Sequence, residues 1–266
     1  MPYATNPRDG TQVYFEDEGG EGAPVVLHDG FADSIDDLRE WGIAQSLPSG
    51  EFRLIYVDHR GHGRSDKPHD PEAYAIPLRV ADAVAVLDGI GIERAHFIGR
   101  SWGGRLCFGI GEHAPERVLS LVIGGNQPYA WPDTPLARLV TTALSEASDA
   151  GSIEPLMSAF EDFWAIRFPE TQRTRLLEND PLALQAAWTA ARSEGAIADE
   201  LKRWQIRCLI FIGAADADFL TGARHAAQEI PRGELLVLEE ADHYATHMSV
   251  DDLVLDRVLR TLRAND

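Results

Sequence analysis

The chain has 266 residues, of which 44% are hydrophobic and 25% are charged, and these values are ordinary for a globular protein. This composition argues against a disordered or collagen-like chain, and the formal net charge of −19 argues against nucleic acid or an anionic membrane as a partner. No apolar run approaches the length of about 18 residues that a transmembrane helix needs, so we expect no membrane span.

The cysteines and the N-terminal residues favour a cytoplasmic protein. Cys107 and Cys208 lie in separate apolar stretches, so we expect buried free thiols, as in a reducing compartment, rather than a disulfide. Residues 1–9 lack the basic start and the apolar stretch of a secretory signal. The sequence leaves the oligomeric state open.

Short β-branched runs alternate with longer helical patterns along the chain. The runs that predict strands are 24–27, 54–57, 95–98, 118–123, 208–212 and 235–238. They are almost continuously apolar, which is typical of strands that are covered on both faces. The alternation therefore predicts an α/β fold in which helices flank a mostly parallel sheet.

Two further patterns predict an antiparallel strand and the main helices. Residues 12–16 alternate between polar and apolar and precede a Gly-Gly pair at 19–20, which predicts an edge strand entering a hairpin. The last predicted helix begins after Ser249 and has Asp251 and Asp252 in its first turn. Helical periodicity predicts helices at 76–87, 102–113 and 250–262.

The strand rhythm stops between residues 123 and 208. We predict that 124–206 is a helical insertion, and that 1–123 and 207–266 together form the core domain. Aromatic side chains on such helices usually belong to a packed core, and a lid over a pocket is the functional alternative. If the insertion is a lid, we expect four aromatic residues to line the substrate pocket beneath it: Trp131, Trp164, Trp188 and, outside the insertion, Tyr244.

The strongest functional signal is the G-x-S-x-G pentapeptide at 99–103, centred on Ser101. It lies where the predicted strand at 95–98 meets the predicted helix at 102–113, and a tight turn in that context exposes the serine hydroxyl. Gly99 and Gly103 let the backbone pass where a Cβ would clash. We therefore predict that Ser101 is a catalytic nucleophile, with a structural turn serine as the alternative.

A nucleophilic serine needs a base and an acid that orients the base. Asp216 follows the predicted strand at 208–212, and His243 lies in the loop after the strand at 235–238. The carboxyl ends of parallel strands meet at one edge of a sheet, so these residues are expected to come together with Ser101. Asp218 is an alternative acid, and we favour Asp216.

These residues resemble the α/β-hydrolase fold superfamily, and the resemblance covers nearly the whole chain. Residues 58–66 resemble the R-G-x-G-x-S loop that follows the fourth strand in esterases, lactonases, dehalogenases and epoxide hydrolases, and Gly30-Phe31 resembles the H-G-F turn. The resemblance implies an oxyanion hole formed by the backbone amides of Phe31 and Trp102. It also implies a helical cap at 124–206, inserted after strand 6 of the fold, and no cofactor.

Two branches of the superfamily fit less well. Dehalogenases and epoxide hydrolases use an aspartate nucleophile, and the serine at 101 argues against both. The stretch 101–104 also resembles proline iminopeptidases, but their H-G-G-P-G oxyanion loop is missing here.

One residue departs from the family pattern beside the predicted oxyanion turn. Asp29 stands where the family usually has histidine, and His28 is shifted one position earlier. A bare carboxylate there would oppose the negative charge that develops on the substrate oxygen. We therefore predict that Asp29 pairs with Arg100, or alternatively with Arg60, and braces the oxyanion loop. An exposed Asp29 without a role is the other interpretation.

Histidine and aspartate residues near the predicted site also suggest metal ligands, but their spacing is poor. His243 and His247 lie four residues apart, without the glutamate of H-E-x-x-H, and Asp58 lies close to His59 and His62. Neither group has a third ligand at a recognisable spacing, so we predict no metal site.

The sequence thus predicts a serine hydrolase that cleaves a carboxylic ester or lactone of a small to medium apolar substrate through an acyl-enzyme. Three alternatives remain open: a receptor-like binding protein on the same fold with little turnover, an aminopeptidase or amidase, and a metal-dependent hydrolase.

Overall fold

The computed structural model describes residues 2–248 and 250–264, and gives only the backbone of His247 and Met248. Within these residues the strands form an eight-stranded sheet in the order β1-β2-β4-β3-β5-β6-β7-β8. Strands β3 to β8 run parallel to one another, and β2 pairs antiparallel with both β1 and β4. The strands are β1 Tyr3–Thr5, β2 Gln12–Asp17, β3 Ala23–His28, β4 Phe52–Val57, β5 Ala95–Arg100, β6 Val118–Gly124, β7 Arg207–Gly213 and β8 Gly233–Leu238.

All six predicted buried strands are confirmed, but the prediction for residues 12–16 was wrong in two respects. Strand β2 lies inside the sheet, because the three-residue strand β1 covers its outer edge. The hairpin joins β1 to β2, whereas the Gly-Gly pair at 19–20 leads into β3, which pairs with β4 instead. A strand as short as β1 carries too little alternation to be recognised in the sequence.

Helices cover both faces of the sheet. They are α1 Ile35–Glu40, α2 Gly42–Ser46, α3 Ile76–Gly89, α4 Trp102–His113, α5 Pro135–Ala150, α6 Glu154–Phe163, α7 Glu170–Leu177, α8 Pro181–Ser193, α9 Leu220–Glu229, α10 His243–Met248 and α11 Asp252–Arg263. The predicted helix at 102–113 is confirmed to the residue. The last helix begins at Asp252, and the Asp251 carboxylate accepts from the Val254 amide at 2.9 Å. Ser249 lies outside the described residues.

Alternate residues of each central strand belong to two separate cores. Val26 and Phe97 pack with α3, α4 and α9, while Val25 and Ile98 pack with α1, α2 and α11 on the opposite face. Because both faces of the sheet are covered, its strands need continuous apolar runs rather than alternating ones.

The segment between β6 and β7 holds the helices α5 to α8. Thr134 begins α5 by accepting a hydrogen bond from the Ala137 amide, and Gly151 ends it in the left-handed conformation, with φ at 65°. Asp180 accepts from the amides of Leu182 and Ala183 at the start of α8. These helices share a core of their own, which also includes Ala32 from the loop after β3. The domain boundaries at 124 and 206 stay a prediction.

The structure bears on two expectations drawn from the composition. Cys107 and Cys208 are both buried and free, as predicted. Among residues 2–248 and 250–264, no helix has the length and the apolar character that crossing a bilayer requires.

Candidate active site

Ser101 occupies a tight turn between β5 and α4. Its backbone is left-handed, with φ at 48° and ψ at −110°, which is uncommon for any residue with a side chain. A Cβ on Gly99 would lie 2.3 Å from the Gly103 carbonyl carbon, and a Cβ on Gly103 would lie 2.4 Å from the His28 carbonyl oxygen. The two glycines therefore let strand and helix approach closely enough to form this turn around the serine.

The structure brings Ser101, His243 and Asp216 into one hydrogen-bonded chain. The Ser101 Oγ lies 2.9 Å from His243 Nε2, and His243 Nδ1 lies 2.7 Å from Asp216 Oδ2. Asp216 follows β7, and its side chain is 1% exposed, while His243 begins α10 and its side chain is 11% exposed. Water thus has little access to the carboxylate–imidazole contact.

Asp218 lies beside this chain of contacts but has a different partner. Its carboxylate accepts a hydrogen bond of 2.6 Å from the Thr134 hydroxyl, which caps α5. Burial raises the pKa of Asp218, and the Thr134 hydrogen bond offsets part of that effect. Of the two candidate acids, Asp216 is therefore the one in contact with the imidazole.

The environment of His243 favours a base that can hold a proton. Burial by itself lowers the pKa of His243, but the Asp216 carboxylate, together with the charges of Asp218 and Asp242, more than offsets this, and the net pKa is raised. The Trp164 ring stacks on the imidazole with centroids 6.3 Å apart, and the Phe219 ring lies 5.2 Å away. These aromatic rings shield the imidazole from solvent on the side of the cavity.

Phe31 and Trp102, the predicted oxyanion donors, both line the cavity beside Ser101. Trp102 is the first residue of α4, and an amide at that position has no acceptor within its own helix. The loop that carries Phe31 is tied to α4, because the Gly103 amide donates to the Asp29 carbonyl at 2.8 Å. His59 Nε2 lies 3.1 Å from the same carbonyl oxygen.

The predicted pairing of Asp29 with Arg100 is confirmed. The Arg100 Nε donates to the buried Asp29 carboxylate, and its Nη2 donates to Asp33 at 3.0 Å. Arg60, the alternative partner, instead binds Asp82 and does not contact Asp29. Burial raises the pKa of Asp29, and the Arg100 charge opposes that shift. The role of the pair as a brace stays a prediction.

The cavity next to Ser101 is mostly apolar, and the helices of the insertion form much of its wall. The four predicted pocket residues Trp131, Trp164, Trp188 and Tyr244 all line it. Trp131 and Trp188 are in edge-to-face contact, with centroids 5.0 Å apart. Further lining residues that the sequence reasoning missed are Asp33, Arg100, Leu136, Val140, Phe160, Phe168, Gln172, Leu176 and Phe219. The spacing of Leu136 and Val140 on α5 was an available signal for two of them.

Asn126 is another polar residue near the site. Its side-chain amide donates to the Ser101 carbonyl at 2.9 Å, and its oxygen accepts from the Gln127 amide at 2.8 Å. Asn126 thus fixes the turn after β5 to the end of β6.

The residues considered as metal ligands hold loops together. The Asp58 carboxylate accepts from the amides of Ile35 and Arg64 at 2.8 and 2.9 Å, and burial raises its pKa to about 6. His62 Nδ1 lies 3.1 Å from the Arg60 carbonyl. The side chain of His247 lies outside the described residues. In the described part of the chain, no three histidine, cysteine or acidic side chains form a group that could hold a metal ion.

Comparison with protein families matches residues 23–207 to a family described as alpha/beta hydrolase fold. Among curated proteins, bifunctional epoxide hydrolase 2 of Mus musculus is 32% identical over 143 residues, which are 50% of this chain but only 25% of that protein. 3-Oxoadipate enol-lactonase 1 of Acinetobacter baylyi is 25% identical over 251 residues, 91% of this chain and 88% of that one. The chain thus spans only part of the epoxide hydrolase and most of the enol-lactonase.

Solved structures show the same fold. A hydrolase from Pseudomonas aeruginosa PA01 superposes with a TM-score of 0.80 over 98% of both chains, at 23% sequence identity. The enol-lactonase from Burkholderia xenovorans LB400 superposes with a TM-score of 0.73 over 99% of this chain, at 21% identity.

Proposed function

Since the chain belongs to the alpha/beta hydrolase family, we propose that it is a serine hydrolase that cleaves a carboxylic ester or a lactone through an acyl-enzyme. The observation that carries the proposal is the continuous contact from the Ser101 hydroxyl to His243 Nε2, at 2.9 Å, and from His243 Nδ1 to Asp216, at 2.7 Å. This is the geometry in which an imidazole can accept the serine proton while a carboxylate holds its orientation.

In the proposed reaction, Ser101 Oγ attacks the carbonyl carbon as His243 takes the hydroxyl proton. The backbone amides of Phe31 and Trp102 stabilise the negative charge on the carbonyl oxygen. His243 then gives its proton to the leaving alkoxide, which leaves an acyl group on Ser101. A water molecule, deprotonated by His243, releases the acyl group and regenerates the serine.

The cavity supports a small to medium substrate with an apolar body. Aromatic and aliphatic side chains of the insertion cover the serine, and apolar surface of this kind favours apolar groups by burying them. We propose that residues 124–206 act as a cap that determines which substrates reach Ser101. The similarity to an enol-lactonase over most of both chains supports lactones as one substrate class.

The same family includes the epoxide hydrolase relatives, but the residue at the turn supports a different reaction here. The epoxide hydrolases of this superfamily use an aspartate nucleophile to form an alkyl-enzyme ester. Serine at position 101 supports acyl transfer instead.

We also propose that the protein is cytoplasmic and that it binds neither nucleic acid nor a membrane.

Labelling with a fluorophosphonate probe, followed by a substrate panel, tests the proposed function. We expect the wild-type protein to be labelled at Ser101, with Ser101→Ala as the unlabelled control. The panel contains p-nitrophenyl esters of increasing chain length, lactones and amides, each assayed with and without a chelator.

Turnover of esters or lactones that is insensitive to the chelator supports the proposal. Labelling without turnover of any substrate would instead support a receptor-like binding protein, and preferential cleavage of amides would support an amidase. Loss of activity with the chelator would point to a metal-dependent hydrolase and overturn the serine mechanism.

A further inference from the structure

Beside the cavity next to Ser101, two arginines bind three carboxylates, of which Asp33 lines the cavity. Arg100 lies between Asp29 and Asp33: its Nε donates to the Asp29 carboxylate and its Nη2 donates to the Asp33 carboxylate. The next carboxylate, Asp37, is already bound by Arg175 at 2.7 Å. Since Asp29 alone balances the charge of Arg100, Asp33 is a surplus carboxylate at the cavity wall.

Asp33 is open to the cavity on one side. Its side chain keeps 17% exposure and binds Arg100 through Oδ2, which leaves Oδ1 without a partner among the described residues. Two further polar groups, the Gln172 amide and the Tyr244 hydroxyl, line the same cavity. Within 2–248 and 250–264, neither of these side chains makes a hydrogen bond.

These side chains are only partly buried, so a ligand group that enters the cavity displaces the water that solvates them and must replace its hydrogen bonds. A hydroxyl group fits all three side chains, because it both donates and accepts hydrogen bonds.

We infer that Asp33, Gln172 and Tyr244 form a polar subsite that selects an ester or lactone bearing a hydroxyl group. This inference rests on the proposed serine hydrolase function and specifies its substrate class. Asp33 is the residue that determines this specificity, and the apolar wall binds the remainder of the substrate.

The charges around Asp33 are consistent with such a subsite. Burial raises the pKa of Asp33 well above its usual value, Asp29 and Asp37 add to that shift, and Arg100 and Arg175 oppose it. Tyr244 faces the same groups, and burial followed by the Asp33 charge raises its pKa. A hydroxyl partner is suitable for both forms of Asp33, because it can donate to a carboxylate or accept from a carboxylic acid.

Matched substrates test the subsite. One series has its substituent on the acyl chain: phenyl 3-hydroxybutanoate and phenyl 3-methylbutanoate. A second series has it on the alcohol: 2-hydroxypropyl butanoate and isobutyl butanoate. The ratio of kcat/KM for the hydroxyl ester over its methyl counterpart is measured for wild type, Asp33→Leu and Asp33→Asn.

Asp36→Asn serves as the matched control. Asp36 lies three residues further along the chain, its side chain is 52% exposed, and its carboxylate pairs with Arg64. In at least one series we expect Asp33→Leu to lower the hydroxyl-to-methyl ratio at least tenfold, and Asp36→Asn to leave it unchanged. Asp33→Asn keeps a hydrogen-bond donor and an acceptor at this position, so it should lower the ratio less than Asp33→Leu does.

The outcomes separate this inference from the proposed function. Fluorophosphonate labelling of Ser101 in each variant reports whether the site is folded and reactive. If Ser101 is labelled and the methyl esters are cleaved, but neither Asp33 variant changes either ratio, the subsite is wrong and the serine hydrolase stands. If wild type is not labelled and cleaves no ester, the proposed function itself fails.

Discussion

Replacing Asp216 with asparagine tests the contact that orients His243. The change keeps the size of the side chain but removes the negative charge 2.7 Å from Nδ1. An asparagine amide can donate to Nδ1, which leaves the ring proton on Nε2, where it faces Ser101 and blocks acceptance of the serine proton. Because Asp216 is 1% exposed, water has little access to replace it.

We expect kcat to fall by about 10³ to 10⁴ in Asp216→Asn, which corresponds to about 4 to 5 kcal/mol of transition-state stabilisation. KM should change little, because Asp216 does not line the substrate cavity. Steady-state kinetics on the best ester of the panel measures both constants. The control is Asp218→Asn, which removes a carboxylate bound to Thr134 and should lower kcat less than about tenfold.

The pH profile gives a second readout of the same substitution. His243 must be neutral to accept a proton, and its pKa is raised above 6.5, so kcat/KM of the wild type should rise with pH at values above 6.5. Asp216→Asn removes the charge that raises this pKa while burial still lowers it, so the rise should move to lower pH. If Asp216→Asn keeps a tenth of kcat, or if Asp218→Asn is the more damaging change, the assignment of the acid is wrong.

Three other experiments have definite expected outcomes. Ser101→Ala should lower kcat by about 10⁴ or more and leave the circular dichroism spectrum unchanged. Gly99→Ala should reduce the free energy of unfolding by about 3 kcal/mol in urea titrations, because its Cβ would lie 2.3 Å from backbone, whereas Gly89→Ala, with nothing within 4 Å, should not destabilise. In a double-mutant cycle on kcat, Asp29→Asn and Arg100→Met should be non-additive, and additive effects would exclude the brace.

Much of the fold and of the site could be predicted because the relevant signals are local. Buried parallel strands need continuous apolar runs, and such runs marked β3 to β8. The turn at Ser101 needs a glycine on each side, which the pentapeptide supplies. Asp216 and His243 follow β7 and β8, and the carboxyl ends of these parallel strands lie at the same edge of the sheet. The pairing of Asp29 with Arg100 followed from the cost of a bare buried carboxylate beside an oxyanion.

The features that were missed depend on contacts between distant parts of the chain. Asp33 resembles an ordinary loop aspartate in sequence, and only the fold shows that it shares Arg100 with Asp29. Helix α7 carries a weak apolar pattern, so nothing in its sequence indicated that Gln172 faces the cavity. Choosing between Asp216 and Asp218 required knowing that Thr134, far upstream, binds the second carboxylate.

The chain order of the cavity wall has a consequence for how this protein can diversify. The proposed catalytic residues follow β5, β7 and β8, whereas Trp131, Trp164 and Trp188 all come from one continuous stretch between β6 and β7. Exchange of that single stretch for another of similar length would reshape the cavity without altering a strand of the sheet or the Ser101 turn. Recombination of the gene at that stretch can therefore vary most of the aromatic wall while it preserves Ser101, Asp216, His243 and the Asp33 loop.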